Sequence, residues 1–95
     1  MKTENKNRTI ITVVGMDAVG IIAKICTYLS GNNINVLDIS QTIVDGFFNM
    51  MMIVDLTQSD MPFTRCQKEL GQIGEEIGVE IRAQKEEIFR TMHRV

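Results

Sequence analysis

The 95-residue sequence has one histidine, one proline and two cysteines, and none of them sits where a reaction would need it. His93 stands alone close to the C-terminus, where a histidine is ordinarily solvated, and no serine, threonine or cysteine has an evident base beside it. Nucleophilic catalysis therefore lacks its parts, and the expectation is that the chain is not an enzyme. Cys26 and Cys66 lie forty residues apart, with no Cys-x-x-Cys spacing, so no metal or other cofactor is implied. Each falls on the apolar stripe of a predicted helix, which reads as a buried reduced thiol; a disulfide or redox pair is the less common alternative. No apolar run approaches the ~20 residues of a membrane span, and the basic start "MKTENKNRTI" is not followed by a signal-type apolar core. A cytoplasmic protein without membrane contact is expected.

Charge of one sign is also missing. Ten basic residues face twelve acidic ones, giving a net charge of −2, and the basic residues are scattered singly. Nothing here would neutralise a row of phosphates, which excludes nucleic acid as a natural partner. Linkers and low-complexity segments are absent, so the chain reads as a flexible N-terminus over 1–7, one domain over 8–85 and a short amphipathic tail over 86–95. A chain of this length buries only about 60–65% of its unfolded surface, so association with another copy would help its stability.

What is present is strongly patterned. "RTIITVVG", Arg8 to Gly15, is short and β-branched and predicts a strand. From Gly20 the period becomes helical: Ile21, Ile22, Ile25, Cys26 and Leu29 recur on one side and Lys24, Thr27 and Tyr28 face outward, until Ser30-Gly31 closes the helix with a glycine free to turn left-handed. "NVLDISQTIV" alternates, with Leu37, Ile39 and Ile43 on one face, as a half-buried strand does. Asp45-Gly46 is hairpin turn chemistry, and "FFNMMMIVDL" returns as the partner strand. After the polar loop "TQSDMP", Phe63, Cys66, Leu70, Ile73 and Ile77 mark a second amphipathic helix. Gly71 and Gly74 interrupt it, either for close approach to the first helix or by simple tolerance. Gly78 ends it, "VEIRAQK" alternates as a last strand, and Ile88, Phe89 and Met92 line one side of the tail.

The order βαββαβ is that of an α+β, ferredoxin-like sandwich, with a four-stranded antiparallel sheet, two helices on one face and a short C-terminal helix. Its usual strand order puts the first and third strands in the centre. That agrees with composition, since these two are apolar on both faces while the second and fourth alternate. Two helices cover only one face, so part of Ile10, Val14 and the Phe47–Ile53 segment is left over and calls for a cover from the tail, a second subunit or a partner protein.

Function has to come from the site and not from the topology. The loop "GMDAVG" after the first strand has no arginine to clamp a phosphate and no paired cysteines for a metal. Phe47 and Phe48 occupy the third strand as stacking aromatics of an RNA-binding sheet would, but Asp45 precedes them where a basic residue is wanted. The run Met50-Met51-Met52 offers thioethers for Cu(I), yet strand alternation sends Met51 to the face opposite Met50 and Met52, and packing is the simpler use. What remains is the loop itself. A strand ending at Gly15 and a helix opening near Gly20 leave free N–H groups and a positive dipole end for a carboxylate. Asp17 between them could accept from an ammonium group, so one loop could hold both ends of a free amino acid. The alternative for Asp17 is to cap the helix, the commoner role for an aspartate there.

"VVGMDAVGIIAKI", then "NNINVLDISQT", a hairpin and a second helix resemble the ACT domain, a small regulatory module that senses amino acids, over roughly Thr9 to Lys85. The likeness is closest to stand-alone bacterial and archaeal ACT proteins. It implies a non-enzymatic regulatory homodimer, or a higher homo-oligomer, whose sheets join edge to edge and whose ligand, a small amino acid, sits at the seam; an unknown target protein completes the scheme. By position the resemblance places the ligand at Gly15, Asp17 and the backbone of Gly20 and Ile21 in one subunit and at Asn35, with Asn33 as its near alternative, in the other. Two departures from the family pattern matter. Asp17 replaces the usual asparagine and would repel a ligand carboxylate aimed at it, and Ala18-Val19 replace polar or proline residues. A ligand-free interaction module is the alternative reading.

Overall fold

The computed structural model describes residues 8–16 and 18–87, and the elements follow in the expected order: β1 (Arg8–Gly15), α1 (Ala18–Gly31), β2 (Asn35–Val44), β3 (Phe47–Asp55), α2 (Phe63–Ile77) and β4 (Glu80–Lys85). All four strands form one antiparallel sheet in the order β2-β3-β1-β4, with β1 and β3 central as the composition requires. The expectations for Ile88, Phe89, Met92 and His93, and for residues 1–7, lie outside the described residues.

The hairpin between β2 and β3 forms because Asp45 and Gly46 both take positive φ (52° and 83°), the mirror-image turn whose twist matches paired strands. Along β3 the alternation is strict: Phe48, Met50, Met52 and Val54 are buried, whereas Phe47 and Met51 are exposed. Opposite them on the same face of β1 stand Gly15, Val13, Ile11 and Thr9. Ile21, Ile25 and Leu29 of α1 and Cys66 and Leu70 of α2 close over this layer. Burial of each such side chain contributes about 1.5–3 kcal/mol.

The helices depart from expectation at their ends and flanks. Residue Ala18, not Gly20, begins α1, and Gly31 remains helical; the left-handed residue that ends it is Asn33 (φ 57°), a conformation asparagine tolerates better than most side chains. Cys26 is exposed, because the buried stripe runs in steps of four through Ile21, Ile25 and Leu29 and leaves Cys26 on the flank; only Cys66 is buried, and both thiols are free. Tyr28, expected outside, is half-buried, with its hydroxyl donating to Oε1 of Glu69 (2.8 Å) and lying 3.0 Å from the sulfur of Met61. Gly74 is needed for close approach, though to the entry of β4 and not to α1: a Cβ there would stand 2.8 Å from the carbonyl oxygen of Val79. Gly71 has open space around it. Gly78 ends α2 in the left-handed conformation, as expected, and its N–H reaches the Gly74 carbonyl.

The largest correction concerns β2. It is not half-buried: all ten residues are exposed, Ile43 by 70%. A bulge between Val36 and Asp38 leaves Leu37 without a partner on β3 and removes it from the Ile39–Ile43 row, which faces the helix side through pairing with Met52 and Phe48. The helices lie over β1, β3 and β4 and stop short of this edge. On the opposite face Val14, Phe47 and Met51 are exposed, as the leftover apolar content predicts, while Ile10 is buried.

Candidate functional site

The β1–α1 turn is built around Gly15. It pairs with Phe48, and a Cβ on it would run into the Val79 side chain and come 2.8 Å from Cδ1 of Ile21. The glycine is thus required by packing where the end of β1, the start of α1 and the α2–β4 connection converge. Ile21 puts its side chain in the core and has only its backbone to offer a ligand, whereas Met16, Val19 and Gly20 are exposed. Asp17 lies outside the described residues. The first turn of α1 contains no acidic side chain, so the positive end of its dipole is not offset from within the helix.

The second group of predicted residues sits where α1 runs into β2. The N–H groups of Asn32 and Ile34 both bond to the Leu29 carbonyl (3.2 and 3.0 Å), that of Asn33 to Ser30 (3.3 Å), and Nδ2 of Asn32 donates to the Tyr28 carbonyl (2.8 Å). These bonds satisfy the helix end and turn the chain so that Ile34 enters the core and Asn33 and Asn35 stay exposed at the surface. Ser30, Asn33, Ile34, Asn35 and Gln58 line an open pocket of about 460 Å³. Its polar lining is amide and hydroxyl, without a charged side chain, which suits a neutral hydrogen-bonding group.

The sheet register shows how far apart the two groups are. Asn35 pairs with Asp55, which pairs with Arg8; Gly15 pairs with Phe48, which pairs with Ile43. The length of β1 separates them, about 23 Å at ~3.3 Å per residue. Within one chain Gly15, Gly20 and Ile21 therefore do not meet Asn33 and Asn35.

A network that the sequence pattern does not reveal joins the helices behind the asparagine pocket. Nε of Arg65 donates to Oε2 of Glu69 (2.9 Å), whose other oxygen takes the Tyr28 hydroxyl. The bond from Arg65, then that from Tyr28, holds the Glu69 carboxyl below its ordinary range. Burial, and then the bond to Glu69, pushes the Tyr28 phenol well above its ordinary value, while burial raises the Cys66 thiol. The signal in the sequence is weak: a lone tyrosine among apolar helix residues. Among the described residues no cluster of three metal-ligating side chains occurs, and no helix is long and apolar enough to cross a membrane.

A sandwich of this topology, with a glycine-tight strand-to-helix turn and an asparagine-rich entry to an uncovered edge strand, defines a small α+β domain of the ferredoxin-like class. The ACT-domain family model matches residues 7–84, and the chain belongs to that family. It is 62% identical over 89 residues to a UPF0237 protein of Bifidobacterium longum, covering 94% of this chain and 99% of the relative. To a UPF0237 protein of Methanocaldococcus jannaschii it is 46% identical, with the same coverage. Among solved structures, an ACT domain protein from Streptococcus pneumoniae superposes with a TM-score of 0.78 at 36% identity, over 90% of this chain and 96% of that one. A formyltetrahydrofolate deformylase from Pseudomonas syringae shares the fold, with a TM-score of 0.72 at 22% identity, over 81% of this chain and 27% of that one.

Proposed function

We propose that the protein is a regulatory homodimer in which β2 of one copy pairs antiparallel with β2 of the other and a small amino acid binds at each of the two equivalent seams. The observation that carries this reading is the edge strand: ten residues long, exposed throughout, and bearing Val36, Ile39, Ile43 and Val44 toward solvent. Such an edge is a template for another strand. Bulge geometry at Leu37, with Oδ1 of Asp38 accepting the Ile39 N–H (2.9 Å), takes up the first part of β2; Ile39–Val44 is the regular part.

Antiparallel pairing also supplies what one chain lacks. Centred near Ser40, it sets Asn35 of one copy beside the Val44 end of the other and so carries the asparagine pocket to the end of the sheet that holds the Gly15–Ile21 turn. The positive end of the α1 dipole then faces the ligand carboxylate, and Asn35 and Asn33 of the second copy take its neutral hydrogen-bonding side chain. The ammonium group is left to Asp17 by the charge the sequence gives that loop. A ligand that touches both chains tightens the dimer by the factor by which the dimer tightens the ligand.

Light scattering with thermal-shift measurements against the twenty amino acids tests this, with Asn35→Ala and Asp17→Ala as controls. The expected result is a dimer stabilised by one or a few small amino acids, with the shift lost in both variants. A dimer that responds to none of them leaves the second reading, assembly without ligand, which the exposed Val14, Phe47 and Met51 on the outer face favour. In that case Met51→Lys abolishes a higher oligomer.

A further inference from the structure

At the end of the sheet where Arg8 and Asp55 pair, a different pocket of about 280 Å³ lies between the ends of β1 and β4, the β3–α2 loop and the start of α2. Thr9, Thr57, Ser59, Pro62, Phe63 and Lys85 line it. Pro62 is the N-cap of α2 and provides no side-chain cap; its carbonyl receives the Arg65 and Cys66 N–H groups (both 3.1 Å), while those of Phe63 and Thr64 meet no acceptor among the described residues. The first turn of this 15-residue helix contains no acid. Nζ of Lys85 stands 5.5 Å from the centroid of the Phe63 ring, which places a full cation at the positive end of the helix, where the dipole opposes it.

A second feature is independent of the helix. Thr9 is only 2% exposed and is the buried polar residue of the described chain; its side chain lines the pocket, and its hydroxyl has no hydrogen-bond partner among the described residues. It is not enclosed, since Arg8 Nε is the buried side-chain polar atom without a partner among the described residues; the Thr9 hydroxyl opens to the pocket and can donate there. Oγ of Ser59 accepts the Met61 N–H (3.1 Å) and keeps its own proton for a further acceptor. Thr57 is committed elsewhere: its N–H and hydroxyl both donate to Oδ1 of Asp55 (2.9 and 2.6 Å), and Asp55 itself does not line the pocket.

We propose that this pocket binds a small oxyanion, a carboxylate or a phosphate monoester, through the Lys85 ammonium, the Thr9 and Ser59 hydroxyls and the amides at the start of α2. The site is separate from the β1–α1 turn and from the edge strand, so it stands whether or not the dimer forms. Occupancy removes the opposition between Lys85 and the helix dipole and gives Thr9 its acceptor.

The test is an amide NMR titration of the full chain with inorganic phosphate and with acetate, each against sodium chloride at matched ionic strength. Saturable shifts of the Phe63 and Thr64 amides are expected, weakened about tenfold by Lys85→Gln, which alters an exposed side chain and leaves the fold intact, and by the near-isosteric Thr9→Val. A response to phosphate alone assigns a phosphate monoester, to acetate alone a carboxylate, and to both the shared oxyanion chemistry. Absence of a saturable shift with either anion, shifts that chloride reproduces, or undiminished binding in Lys85→Gln overturns the proposal.

Discussion

Strands β2 and β3 are neighbours joined by a two-residue turn, and both are rich in apolar side chains, yet their fates differ completely. On β3, Phe48, Met50, Met52 and Val54 are sealed beneath the helices; on β2 their cross-strand partners Ile43, Gln41, Ile39 and Val36 are exposed. The face is the same. What changes is one strand spacing, about 4.8 Å, beyond the reach of the helix layer. Apolar content therefore says that a strand wants cover, and position in the sheet decides whether its own chain provides it. An uncovered row of this kind is a template on which another strand can pair.

Substitutions on the two strands and the layers above them should separate these roles. Ile25→Ala, in the fully buried stripe of α1, is expected to cost about 2–5 kcal/mol in urea unfolding. Gly15→Val should be comparably damaging, because the added carbons overlap Val79 and Ile21. Ile43→Ala should lower the stability of the isolated protomer by less than about 0.5 kcal/mol, since that side chain is mostly in water already. Its effect belongs to assembly. If Ile43→Ala and Ile25→Ala cost the same at protein concentrations too low for dimers, the contrast between the strands fails.

A lysine on the edge separates fold from association. Ile39→Lys and Ile43→Lys together should leave the circular dichroism spectrum unchanged and convert the dimer to monomer in sedimentation velocity, because the paired strands would then carry opposed cations. A smaller effect is expected at the helix junction. With its folded-state pKa raised above the ordinary value of 10.0, Tyr28 stabilises the fold fully below about pH 10 and loses that contribution as pH climbs toward the folded value, since the unfolded chain then releases a proton that the native chain still holds. Tyr28→Phe should flatten the fall in stability above about pH 10 and, by removing the hydroxyl from Glu69, cost about 1 kcal/mol at neutral pH. Last, a thiol reagent should modify Cys26 at once and Cys66 only as the chain unfolds, its thiol being buried and its pKa raised. Equal rates would show that the helix layer opens readily.

Much of this fold is legible in the amino-acid sequence. Asp45-Gly46, the alternation of Met50, Met51 and Met52, and the three- and four-residue steps of α2 depend on local backbone geometry, which residue order expresses directly. Burial at the edge does not. Alternation assigns Ile39 and Ile43 to one face, but whether a helix reaches over that face depends on the sheet order and on where α1 lies, both non-local. The Leu37 bulge and the left-handed Asn33 are hidden for a related reason, since a leucine can enter a ladder and Gly31 offers an easier helix stop two residues earlier. For the candidate site, the residue types at Gly15, Gly20, Asn33 and Asn35 are readable, and their separation to opposite ends of one chain is not, because it follows only from the register through Phe48 and Asp55.

The central claim is that two β2 strands pair antiparallel and so join the asparagine pocket to the β1–α1 turn. Mild oxidation of the Asn35→Cys, Val44→Cys variant, with Cys26→Ser to remove the exposed native thiol, tests it most directly. The two positions are nine residues apart on an extended strand, about 30 Å, so they cannot join within one chain, whereas antiparallel pairing brings each within disulfide range of its counterpart. The account predicts a covalent dimer on a non-reducing denaturing gel, lost when Ile43→Lys is added; a chain that stays monomeric on the gel contradicts it.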